Sequence, residues 1–303
     1  MSSTVLAPLL GLVVAFLFAV SAYFQQRAAR KTHRTGGSVA ASAVALMSAL
    51  VRDRMWLQGW LFNLAGFAMQ ALALHIGSVV TVQPMLAAQL LFTLPMASLE
   101  QRSWPQLRDW TGAVALCGGL VVLMLVVRAR PIAGNPDRGR ILLAAIAVGA
   151  AIVVLIPIAA RISPGALVLV CGACAGFCFA MTAVFIKLTT DDLVNHGVAY
   201  TARDWVGYAL ACSTLVGLVL GQGAFANGPL PWAVATKETA NPVASYAIGV
   251  LAFPVAFPSG AGALVGLGAA AALVTIGAVA LAHSPSADVW LRRSEDQEAH
   301  AVS

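Results

Sequence analysis

Long apolar stretches separated by short polar ones set the pattern of this chain. A helix needs about 20 apolar residues to cross a bilayer. Nine stretches come close to that length: residues 5–25, 56–76, 79–99, 110–127, 141–160, 165–186, 205–225, 231–256 and 261–282. A tenth apolar run, 38–51, lies between Arg34 and Arg52 and is rich in Ala and Ser. Its 14 residues are short for a span, so it reads as an interfacial or re-entrant helix. The pattern predicts an all-α integral membrane protein with nine spans, or ten if 38–51 also crosses.

The spans come in two related sets. Gly11, Phe16, Phe18, Ala19, Ala22 and Phe24 match Gly172, Phe177, Phe179, Ala180, Ala183 and Phe185 at a constant offset, and Ser21 faces Thr182. The likeness continues: residues 73–77 resemble 224–228, and Thr81-Val82-Gln83-Pro84 resembles Thr239-Ala240-Asn241-Pro242. The second copy carries about seven extra residues between its Gly and its Asn-Pro. The expected organisation is a first repeat over 1–139, a linking span over 140–163, a second repeat over 164–283, and a disordered cytoplasmic tail over 284–303. Repeats of apolar helices are a common plan of secondary transporters, with the solute site where the repeats meet.

Composition agrees. At 60% hydrophobic and 10% charged, 303 residues cannot bury their apolar surface in a water-soluble fold. The net charge of +6 lies mostly between spans, so it reads as topology rather than nucleic-acid binding. With nine spans and the N-terminus outside, eleven Lys and Arg fall inside and six outside. That bias predicts a multi-pass plasma (inner) membrane protein with a cytoplasmic C-terminus. The loop from Arg128 to Arg140 runs against it, with four arginines on the outer side. The first apolar run lacks a basic segment before it, unlike a cleaved signal peptide. All five cysteines lie in apparent spans, so no disulfide framework is visible.

Gln25-Gln26-Arg27-Ala28-Ala29 after the first span, Trp56 and Gly59 opening the second, Gln70-Ala71-Leu72-Ala73-Leu74, and Val82-Gln83-Pro84 resemble the drug/metabolite transporter superfamily. The likeness covers roughly 5–282 and is greatest to EamA-type actinobacterial members and the NIPA-like magnesium transporter group. It implies transport of small solutes or ions by alternating access. In the second half the family often carries an acid before the proline of the eighth span. Here that position is Asn241, which puts in doubt any mechanism needing a carboxylate there.

Ionisable groups within a bilayer are costly, which makes each a functional candidate. Lys237 and Glu238 fall in the eighth predicted span, and Glu238 shares a helical face with Asn241. Glu238 could bind a proton or cation with Lys237 offsetting its charge. The plainer alternative is that both reach the membrane surface. Asn63, Gly66 and Gln70 form one stripe of the second span, suited to a polar solute or to hydrogen bonds between helices. Gln83-Pro84 and Asn241-Pro242 are matched polar-proline breaks. Each proline removes a backbone donor and frees a carbonyl one turn earlier, which suits a cavity wall or a packing kink. Gln89 is a weaker candidate of the same kind. Cys171, Cys174 and Cys178 share a stripe, but no His or Met joins them, and Gly172 and Gly176 interleave with it. Close helix packing is the simpler reading than a soft-metal site. Asp191-Asp192, read as a loop before the seventh span, could bind Mg²⁺ as in membrane prenyl transferases. A second acidic cluster is missing, and a solvated loop is simpler.

These residues predict a secondary transporter of a small molecule or ion. Its substrate-binding residues would be Asn63, Gln70, Gln83, Glu238 and Asn241, with Pro84, Pro242 and Lys237 at the gating breaks. No nucleophile with a base, phosphate loop, nucleotide segment or cofactor motif is visible, so no enzyme is expected. The bilayer is the other partner, and the pattern is compatible with a homodimer. Alternatives are a magnesium permease, a lipid or polyprenyl-carrier flippase, and a non-transporting scaffold.

Overall fold

The computed structural model describes residues 3–32, 39–76, 82, 85–101, 104–127, 137–252 and 260–282. Its principal elements are helices: α1 (Ser3–Thr32), α2 (Val39–Leu50), α3 (Arg54–Ile76), α4 (Gln89–Gln101), α5 (Leu107–Val127), α6 (Arg138–Ile162), α7 (Pro164–His196), α8 (Val198–Thr201), α9 (Trp205–Asn227), α10 (Leu230–Ala252) and α11 (Ala261–Ala282). No strand occurs among the described residues. Six of these helices, α1, α5, α6, α7, α9 and α11, are long and apolar enough to cross a membrane. The chain is an all-helical, multi-pass membrane protein.

Three of the nine predicted spans stand apart. Helices α3 and α10 are each 23 residues long, but they carry polar and charged groups, Asn63 and Gln70 in one, Lys237, Glu238 and Asn241 in the other. The run 79–99 is described only in part, through the 13-residue α4. Helix α2 has 12 residues. At about 1.5 Å per residue it rises roughly 18 Å, well short of the ~30 Å apolar core.

The exposed face of α6 shows why the surroundings must be lipid. Leu143, Ile146, Val153 and Val154 are each more than half exposed on this helix. In water such a stripe would be strongly unfavourable. The helix begins at Asp137, whose carboxylate accepts from the Gly139 and Arg140 amides. It ends at Ser163, which is extended and whose hydroxyl caps α7 by accepting from Ala166 N at 3.1 Å. Pro164 opens α7, where its missing N–H costs nothing.

The helices divide into two compact units. The first holds residues 1–131, 225–235 and 258–303; the second holds 132–224 and 236–257. Helix α10 thus begins in one unit and continues in the other.

In the first unit, α1 packs on α3 at two glycines. A Cβ at Gly59 would stand 2.8 Å from Gln25 Cγ, and one at Gly66 would stand 2.5 Å from the Phe18 ring. Helices α5 and α11 meet backbone to backbone: a Cβ at Gly277 would lie 2.6 Å from Gly112 O and Leu116 N. In lipid, where no hydrophobic force drives helices together, such close backbone packing supplies the cohesion. The Gly228 carbonyl, at the turn before α10, accepts from Gln26 Nε2 at 2.6 Å and Arg30 Nη2 at 2.9 Å, both on α1. Trp232 Nε1 donates to Leu281 O at 2.9 Å.

In the second unit, Ile141 of α6, Met181, Val184, Phe185 and Leu188 of α7, Val206 of α9 and Ile248 of α10 form one buried cluster.

Candidate functional site

Glu238 is the centre of the clearest constellation in the second unit. Its carboxylate pairs with Lys237 Nζ at 3.1 Å, and both side chains are about a quarter to a third exposed. Pro242, four residues on, has no N–H to give the Glu238 carbonyl. Glu238 therefore presents a carboxylate and a main-chain oxygen that lacks its helical donor. The half-buried Asn241 accepts from Ser245 Oγ at 3.4 Å. The buried Thr239 hydroxyl oxygen has no hydrogen-bond partner among the described residues.

Gly176 of α7 fixes the position of this segment. A Cβ there would lie 2.6 Å from Lys237 O, 2.7 Å from Ala240 Cβ and 2.9 Å from Asn241 N. Only a glycine admits the α10 backbone so close. Cys171, Cys174 and Cys178 are buried in the same helix, and Cys178 Cβ lies 2.9 Å from where a Cβ at Gly217 of α9 would stand. Cys178 thus packs against α9, in keeping with the small-residue reading. Thr182 on α7 also meets Ser213 Oγ of α9 at 2.9 Å.

Asn63 and Gln70 are half-buried on α3 in the first unit, either side of Gly66. Neither amide makes a side-chain hydrogen bond among the described residues, so neither serves as interhelical glue there. Gln83 and Pro84 lie outside the described residues. Gln89 is buried at the start of α4.

The sequence reading of Asp191-Asp192 as a solvated loop is corrected. Helix α7 continues ten residues past the predicted end of its span, to His196, and both acids sit in its last turns. Beyond the buried Leu188, the extension is held by ion pairs. Lys187 Nζ binds Asp191 Oδ2 at 3.0 Å, one turn apart. Asp192 turns inward, with its side chain 3% exposed, and pairs with Arg138 of α6. Arg138 also holds Asp204 Oδ2 at 2.7 Å, at the start of α9. The neighbouring carboxylates thus go to different cations. Sequence reasoning missed this triad because its members are 54 and 66 residues apart. The one available signal was the run of arginines from Arg128 to Arg140, which the charge rule did not explain.

The C-terminal end of α7 borders a cleft. Gly197 (φ +80°) ends the helix in the left-handed region that favours glycine, and the chain turns through α8 into α9. The cleft is a shallow, open one of about 490 Å³ lined by His196, Ala199, Tyr200, Arg203 and Asp204.

No protein-family model matches the chain. No solved structure matches it either. It is similar to an uncharacterized protein of Corynebacterium glutamicum, with 27% identity over 298 residues, covering 97% of this chain and 100% of that protein.

Proposed function

We propose that the chain is a secondary transporter that moves a small solute or ion across the plasma membrane by alternating access between two helical repeats. In this reading it has nine spans, an outer N-terminus and an inner C-terminus, and belongs with the drug/metabolite transporters. Glu238 is the ion- or solute-binding group, with Asn241 as a polar contact on the same helix, and Asn63 and Gln70 are polar solute contacts of the first unit.

The observation that carries the reading is a packing seat that occurs twice. Phe18 of α1 lies on Gly66 of α3, and Phe179 of α7 lies on Gly217 of α9, its ring 3.4 Å from where a Cβ would stand. The two phenylalanines differ by 179 − 18 = 161 positions and the glycines by 217 − 66 = 151. Those are the offsets of the repeated segments Gly11–Phe24 and Ala73–Gly77. An acid at the same 151 offset opens the second helix of each pair: Asp53 accepts from Met55 N at 2.7 Å, and Asp204 from Trp205 N at 2.9 Å. A duplicated helix pair beside a charged helix that carries an internal proline favours the alternating-access reading.

A thermal-shift screen of the purified chain against metabolites and mono- and divalent cations tests the reading. A ligand that binds the folded state raises its unfolding temperature. We expect a hit whose shift is lost in Glu238→Gln. A folded protein that no solute or cation stabilises would contradict the reading.

A further inference from the structure

The cleft at the end of α7 has the chemistry of an anion site facing lipid. Helices α7 and α9, which border it, are both long and apolar enough to cross a membrane. Helix α7, with 33 residues, rises about 50 Å, so one end must leave the ~30 Å apolar core. The cleft lies at that helix's C-terminal end, beside the first turn of α9.

Its charges are unequally spent. Asp204 Oδ1 accepts from Trp205 N, and its Oδ2 takes Arg138. Arg138 is shared with the buried Asp192, which also lies 3.9 Å from His196 Nδ1. Arg203 is exposed, and its guanidinium makes no ion pair among the described residues. Beside it, the Tyr200 and His196 rings stack at 4.6 Å. The Tyr200 hydroxyl makes no hydrogen bond among the described residues. A free guanidinium, a phenol and an imidazole are donors suited to a phosphate.

The neighbouring surface is apolar. Val194 is 77% exposed, Val198 73% and Tyr208 68%, and Tyr208 is tied to the cleft's segment by its hydroxyl on Ala202 O at 2.9 Å. Donors for an anion with bare apolar side chains alongside fit an amphiphile rather than a free ion.

We propose that this cleft binds the phosphodiester headgroup of an anionic phospholipid, with Arg203 as its charge contact and Tyr200 as its hydrogen-bond donor. The site does not depend on the transport reading, and a bound lipid there need not be moved.

Native mass spectrometry of the full chain tests it, with phosphatidylglycerol and phosphatidylcholine offered in equal amounts. The wild type should retain phosphatidylglycerol preferentially. Arg203→Gln should lower that retention about fivefold, the effect of one basic residue near an anionic headgroup. Arg203→Lys should restore most of it, and Tyr200→Phe, which removes only a hydroxyl, should weaken it less. Unfolding temperature reports whether each variant is folded. Equal retention of the two lipids, or retention unchanged in folded Arg203→Gln, would overturn the proposal. Displacement of the lipid by millimolar inorganic phosphate would assign the cleft to free phosphate and overturn it too.

Discussion

Arg138 illustrates how much one side chain can carry in a membrane protein. It joins α6 to the last turn of α7 through Asp192 and to the start of α9 through Asp204. Asp192 is almost wholly buried, and its Oδ2 has no hydrogen-bond partner among the described residues. Removing Arg138 would strand that carboxylate. We expect Arg138→Gln to cost about 1–3 kcal/mol in detergent unfolding, discounted from the range for a fully buried pair because Arg138 is itself partly exposed. Arg138→Gln combined with Asp192→Asn should recover part of the loss; an additive double variant would show that the two do not interact. The arginine also accounts for some of the positive charge that the nine-span topology places outside. Two of the four arginines there, Arg138 and Arg140, are engaged with carboxylates, Arg140 with Asp137 at 3.1 Å. Sequence alone shows charge at such positions but not its partner. Asn63 and Gln70 offer the opposite case. Their amides are unspent, so Asn63→Leu with Gln70→Leu should lower stability by less than about 1 kcal/mol, near the average for interhelical hydrogen bonds. The same pair should lose solute binding. A large loss of stability would reassign them to packing.

At the scale of elements, glycine positions decide which helices meet. Gly176→Val would drive a branched side chain into the α10 backbone at Lys237 and Asn241. Overpacking of this kind costs about 1–3 kcal/mol. Here it should also move Glu238, so the variant should lose ligand-induced stabilisation even where it folds. Gly249 of α10, where a Cβ would meet nothing within 4 Å, is the control on the helix that carries Glu238: Gly249→Ala should leave both readouts unchanged. Much of this level was legible in the chain. Small residues at helical spacing announced close contact at Gly176 and at Cys178, which meets Gly217 of α9. The extent of α7 was not legible, because the apolar pattern stops near Phe185 while the helix continues on ion pairs and a glycine cap. Nor was the cleft beside it, which needs the turn at Gly197 to bring residues 196–204 around one space.

At the scale of the whole molecule, class follows from composition. A chain 60% hydrophobic with long uninterrupted runs has only helices with which to satisfy its backbone in lipid. The number of crossings is less direct. Helices α3 and α10 are long enough but carry the polar groups a transport pathway would use, so the features that make them interesting also weaken their apolar signal. The Phe-on-Gly seats, with offsets of 161 for the phenylalanines and 151 for the glycines, are the support for the proposed repeat. The proposed repeat leaves the solute unnamed, because side chains of different size and charge stand at the positions it would match, as Gln26 and Lys187 do at the 161 offset.

The most direct test is uptake by sealed proteoliposomes of the ligand found in the thermal-shift screen, with and without an imposed proton or cation gradient. Wild-type vesicles should accumulate it above protein-free vesicles in a gradient-dependent way. Folded Glu238→Gln should fall at least tenfold, toward the background. Uptake at the protein-free rate by well-folded wild-type protein, or full uptake by Glu238→Gln, would contradict a transporter built around this residue.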